Sequence, residues 1–141
     1  MRRDLPAVPQ TRVRTHALAV AQTAMRQSQQ TQQLTGASHA AAWCAADGSV
    51  RLAREDVGRH NALDKLIGAM VRAQANPADG FICITSRASF EMVQKTAMAG
   101  VGVLAAVSAP TALAIDTALG CGLALAGFVR GDDCVAYTFP E

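Results

Sequence analysis

Residues 81–107, FICITSRASFEMVQKTAMAGVGVLAAV, decide the fold class. Phe81 to Thr85 is a short run of aromatic and β-branched side chains followed by turn formers, which reads as a buried strand. Ser86-Arg87-Ala88-Ser89 turns the chain into a helix from Phe90 to Ala99. Gly100 closes that helix, because glycine enters the left-handed region just past a helix end at little steric cost. Val101 to Val107 is the next apolar run. Gly100-Val101-Gly102 is therefore a tight turn between helix and strand, and not a dinucleotide fingerprint, whose glycines leave a strand and open a helix.

The same alternation extends both ways. Ala17, Leu18, Ala21, Ala24 and Met25 recur at helical spacing from Thr15 to Gln27, and His39 to Ala46 is a short apolar strand. Asp47-Gly48 is a strong hairpin signal, with Ser49 to Arg54 as the returning strand. A helix follows from Asp56, read as its N-cap, to Gln74, with Ala62, Leu66, Ala69, Met70 and Ala73 on one face and Asn76-Pro77 as its stop. Beyond Val107, Pro110 opens a helix to Leu119, and Leu123 to Val129 and Val135 to Phe139 supply the last strands. The order α, β, β, α, β, α, β, α, β, β predicts an α/β domain: a three-layer α/β/α sandwich with a mixed sheet, largely parallel, to which the hairpin adds an antiparallel pair. A loose arm over residues 1–14 precedes this single domain over 15–141.

Composition narrows the function. A chain of 141 residues that is 50% hydrophobic is the size of one domain and buries roughly two thirds of its unfolded surface. A formal charge of +2 is no basic field for nucleic acid, and small defined anions suit it better. Cys44, Cys83, Cys121 and Cys134 form no C-x-x-C pair, and their apolar settings read as buried free thiols in a reducing compartment. Met1 to Arg14 has arginines but no apolar core of a signal peptide, and Pro6 and Pro9 interrupt a transit-type helix. No run is long enough to span a membrane. These features read as a cytoplasmic protein, with no nucleic acid or membrane among its partners.

In sheets of this kind ligands gather beyond the carboxyl ends of strands, where helix starts present free N–H groups. Two such starts are unusually polar. The first carries Glu55, Asp56, Gly58, Arg59, His60, Asn61, Asp64 and Lys65, and Gly58, His60 and Asn61 are poor choices for opening a helix on propensity alone. Spacing of i, i+4 would set Asp56 against His60, His60 against Asp64 and Asn61 against Lys65, an acid, imidazole, acid stripe suited to anion binding or proton transfer. The competing reading is an N-cap with surface pairs of about 0.2–0.5 kcal/mol each. The second start carries Arg87, Ser89, Glu91 and Lys95. Arg87 and Ser89 can converge on a phosphate, whereas Glu91 and Lys95 also read as a plain helix pair. His39, at a strand entrance, is a structural histidine on spacing alone, and Trp43 and Met92 are core or cavity-lining side chains.

TGASHAAA (35–42), EDVGRHNALDK (55–65), TSRASFEMVQK (85–95) and SAPTALA (108–114), followed by LAGFVR (125–130) and Tyr137-Thr138, closely resemble the formate dehydrogenase accessory sulfurtransferase family, FdhD. The resemblance implies a cytidine-deaminase-like fold. It further implies a transferase that takes sulfur from a cysteine desulfurase and passes it to the molybdenum of a bis-molybdopterin guanine dinucleotide cofactor before insertion into apo formate dehydrogenase. GDP and GMP are then the natural ligand analogues. The implied cofactor-binding set is His39, Glu55, Asp56, Gly58, Arg59, His60, Asn61, Lys65, Arg87, Ser89, Glu91 and Lys95. In zinc deaminases of that fold the same two helix starts carry the metal ligands, and the lack of a cysteine at the second predicts no zinc here. The family's sulfur-carrying C-x-x-C loop, expected upstream of Thr35, has no counterpart, so no catalytic residue is assigned. A noncatalytic module that binds cofactor or docks a partner is the alternative, and a homodimer is compatible with either.

Overall fold

The computed structural model describes residues 17–18, 20–21, 39–108, 110–130 and 133–136. The expected arm, most of the first helix and the end of the last strand lie outside these residues. Ala17, Leu18, Val20 and Ala21 are helical, in line with the apolar spacing there.

Strand β1 (His39–Ala45) and strand β2 (Val50–Asp56) form the hairpin. Its turn is built by Asp47, whose carboxylate accepts the Ser49 N–H at 2.9 Å and the Ser49 hydroxyl at 2.7 Å, and by Gly48 at φ +96°. Helix α1 (Arg59–Arg72) follows. It buries Ala62, Leu63, Leu66, Ala69 and Met70 and exposes Asn61, Asp64, Lys65 and Arg72, a stripe of helical period. Gln74 at φ +56° stops it, and a short 3-10 turn (Pro77–Asp79) leads into strand β3 (Gly80–Arg87). Helix α2 (Phe90–Met98), strand β4 (Val103–Ser108), helix α3 (Ala112–Cys121), strand β5 (Ala124–Arg130) and strand β6 (Asp133–Ala136) complete the order read from the sequence. Gly100, at φ +84°, ends α2 as expected.

Asp56 is not the N-cap of α1. It remains paired with His39 in the β1–β2 ladder, which holds it in the sheet, and Gly58 takes the capping position. Its carboxylate instead accepts the Gly58 N–H at 2.9 Å across the turn.

The six strands run β2-β1-β3-β4-β5-β6. Only β3–β4 and β4–β5 are parallel, so the sheet is mixed and not largely parallel. The physical reason is that β3 lies beside β1 and not beside β2. The α1 crossover therefore steps over β1, which is antiparallel to both neighbours.

Alternation along the strands splits the core. Ala41, Trp43, Ile82, Ile84, Leu104 and Leu125 face α1, α2 and α3 and pack with Leu63, Leu66, Met70, Met92 and Val93. Ala42, Cys44, Phe81, Cys83 and Ala105 point the other way, where Ala17, Leu18 and Ala21 cover them. The layers are thus three helices, the sheet, and the early helical residues. Trp43 and Met92 are core.

Candidate functional site

Strands β2 and β3 are parallel to each other with β1 between them, so their carboxyl ends reach the same edge of the sheet. Two strand spacings, roughly 10 Å, separate the turn that opens α1 from the turn that opens α2. His39, at the amino end of β1, lies between them and pairs with Asp56. The topology therefore brings Glu55, Asp56, Gly58, Arg59, His60 and Asn61 to one rim with Arg87 and Ser89. The third turn joins this rim as well, because the Thr111 N–H donates to the Ala88 carbonyl at 3.1 Å.

The acid, imidazole, acid stripe does not form. Lys65 donates to the Asp56 carboxylate at 2.9 Å and to the Glu55 carbonyl at 3.2 Å. Lys95 donates to both Asp64 oxygens at 2.9 Å from 31 residues away. Each acid takes a lysine brought to it by tertiary structure, which helical spacing cannot foresee. The Lys65 ammonium, with the Gly58 N–H and the Asn61 side chain, holds the Asp56 carboxyl down to about 2. Its folded value lies below its ordinary one near 4, so its contribution to stability is complete above that value and is lost as pH falls through about 2. Replacing Lys65 by alanine should raise the Asp56 carboxyl toward the ordinary range, as read by carboxyl carbon NMR titration. An unchanged value would remove Lys65 as the cause.

Lys95 is drawn to Asp64 on α1, and Glu91 stands in the first turn of α2. They line, with Ile67, Met70, Val71 and Met98, a groove of about 570 Å³ between the far half of α1 and α2. Its walls are mostly apolar.

At the rim, α3 is closed by Thr111, whose hydroxyl accepts the Ala114 N–H at 3.1 Å. The other two helix starts are open. Gly58 has no side chain to offer α1, and no acidic residue occupies that helix's first turn. Ser89 has the extended backbone of an N-cap, yet its hydroxyl makes no capping bond. Serine is among the best caps, with a contribution of about 1 kcal/mol, and here that bond is not made. The Ser89 hydroxyl, the Ser86 hydroxyl and His39 Nδ1 are buried without a partner among the described residues. A buried polar group left in that state costs about 1–3 kcal/mol.

Ser86 was not foreseen as a site residue. It sits at an irregularity of β3, where three residues, Thr85 to Arg87, span the step that β4 makes from Ala106 to Ser108. Beside it the Thr85 hydroxyl accepts the Ala40 N–H at 2.9 Å, a side chain substituting for a ladder bond. Such bulges turn side chains away from the regular alternation and are frequent beside active sites. The only sequence signal was a serine inside an apolar strand end.

The model of the FdhD/NarQ family matches residues 1–141. The chain belongs to the FdhD/NarQ family. It is 57% identical over 139 residues to a sulfur carrier protein FdhD of Variovorax paradoxus, covering 98% of this chain and 50% of that protein. It is 61% identical over 118 residues to one of Bordetella petrii, covering 84% and 42%. The chain spans about half the length of the curated relatives it matches. Its fold is that of a formate dehydrogenase accessory protein from Desulfotalea psychrophila, with a TM-score of 0.86 at 23% identity over 97% of this chain and 59% of that one.

For a member of the FdhD/NarQ family, the state of the thiols matters. Cys44, Cys83 and Cys121 are buried thiols not joined in disulfides. Burial pushes the Cys44 thiol up to about 12 and raises that of Cys121. A thiol in that state is a poor nucleophile, and nothing in its setting marks Cys44 as a sulfur acceptor. Native protein at pH 8 should leave Cys44 unalkylated by iodoacetamide over the time in which urea-unfolded protein reacts fully, as read by peptide mass. Equal labelling in both would contradict this burial. Among the described residues no group of three His, Cys, Asp or Glu side chains could hold a metal ion, and no helix is long and apolar enough to cross a membrane.

Proposed function

We propose that this chain holds the guanine nucleotide end of a bis-molybdopterin guanine dinucleotide cofactor, as part of a sulfur carrier serving formate dehydrogenase. The observation that supports it is the pairing of two helix starts without side-chain caps on one rim. Free N–H groups and the positive ends of two helix dipoles there favour phosphate oxygens. The orphaned polar atoms of His39, Ser86 and Ser89 suit the same group. Gly58, where a side chain would crowd Asn61 and Asp56, keeps the backbone open to a ligand. Arg59 is the first residue of α1 and Arg87 the last of β3, so each turn carries an arginine in its sequence.

When bound, the cofactor supplies the molybdenum that accepts sulfur. The residues of this chain bind and orient its phosphates, and no sulfur-relaying thiol is assigned among them. The names of the relatives, a sulfur carrier and a formate dehydrogenase accessory protein, support a sulfur-carrying role that serves formate dehydrogenase; a cysteine desulfurase is the proposed sulfur donor, and apo formate dehydrogenase the proposed recipient of the cofactor. The purified chain should bind GDP or GMP saturably by calorimetry. Arg87→Ala and Arg59→Ala should each weaken binding by about tenfold or more, the loss of one charge-assisted hydrogen bond. No saturable binding at millimolar nucleotide would sink the ligand assignment.

A further inference from the structure

We infer that Ser86, Ser89 and His39, together with the open first turn of α2, form a subsite for one phosphate group, with the Ser86 hydroxyl as its interior donor. This deepens the nucleotide reading and rests on it for the identity of the whole ligand. Four observations converge. Ser86 is only 8% exposed, and its hydroxyl has no partner among the described residues. The Thr85 hydroxyl is bonded to Ala40, so the next residues toward the rim on the two adjacent strands are Ser86 and His39, and both carry an orphaned atom. Ser89 occupies the N-cap of α2 but leaves the helix uncapped. Thr111, one turn away along the same rim, does cap its helix, so the geometry of this edge does not forbid capping.

The donor set identifies the ligand chemistry. Both hydroxyls can donate, an imidazole nitrogen can donate in the appropriate tautomer, and the first N–H groups of a helix are donors only. Several donors converging at a helix start suit an oxyanion with several acceptor oxygens, which a phosphate provides and a nucleobase edge does not.

The test uses the full chain with inorganic phosphate, GDP and guanosine as probes, in wild type, Ser86→Ala and Ser89→Ala. Removing a hydroxyl that has no internal partner should leave the melting temperature of the ligand-free protein unchanged or raised, which a structural hydroxyl would not do. Phosphate should compete with GDP in wild type, and each alanine variant should bind GDP about tenfold or more weakly while guanosine binding stays the same. Saturable GDP binding that both variants retain at full strength would overturn the subsite and leave the nucleotide reading standing. Phosphate binding that needs Ser86, without any GDP binding, would support the subsite and overturn the nucleotide reading. If neither phosphate nor GDP binds, both are wrong. A lowered melting temperature for ligand-free Ser86→Ala with unchanged phosphate affinity would show a structural hydroxyl and also overturn the subsite.

Discussion

Gly80→Ala should cost about 3 kcal/mol or more, or prevent folding altogether, because an added methyl meets packed backbone with no room to yield. Gly80 pairs with Ala45 at the start of β3, and a Cβ built on it falls onto the carbonyl oxygen of Cys44 with the Trp43 ring close behind. Cys44 is fully buried in the interior strand β1, so neither strand can move aside without opening the sheet between the two turns of the site. Gly68 is the matched control. It lies inside α1 with nothing within 4 Å of the added carbon. There, alanine should stabilise by up to about 1 kcal/mol through helix propensity. Urea unfolding of both variants reads the difference, and a Gly80→Ala protein as stable as wild type would show that the β1–β3 contact is wrongly described.

Leu66→Ala should lower stability by about 2–5 kcal/mol. Leu66 is fully buried on the inner face of α1, packed with the sheet residues that also hold α2. Val71, on the same helix but 72% exposed, should tolerate alanine within about 0.5 kcal/mol. The anchoring of α1 sets where its open start lies relative to α2. Leu66→Ala protein that still folds should therefore also bind nucleotide more weakly, and a loss of under 1 kcal/mol would mean that α1 is not seated on the sheet as described.

Much of the fold was legible because its signals are local. The spacing of Leu66, Ala69 and Met70, the Asp47-Gly48 turn and the glycine stop at Gly100 each depend on neighbours within a few residues. The insertion of β1 between β2 and β3 was not legible, because nothing in a strand's own sequence states which partner it pairs with. The same limit explains the site. Gly58 was a legible oddity, a poor residue to open a helix, and it proves to be an N-cap with no side chain to offer, whereas the missing capping bond of Ser89, a good cap by type, shows only in the fold. The salt bridges were misassigned for the same reason: Lys65 with Asp56 and Lys95 with Asp64 span 9 and 31 residues, and only the folded chain brings them together. Ser86 was missed because a bulge breaks the alternation from which its orientation would otherwise be read.

If the two open helix starts on one rim jointly hold a nucleotide phosphate, amide chemical-shift mapping during a GDP titration will show saturable shifts at Gly58 to Asn61 and at Ser89 to Glu91 with one common dissociation constant. Shifts confined to the groove around Met70, Val71 and Met98, or to one helix start without the other, would contradict it.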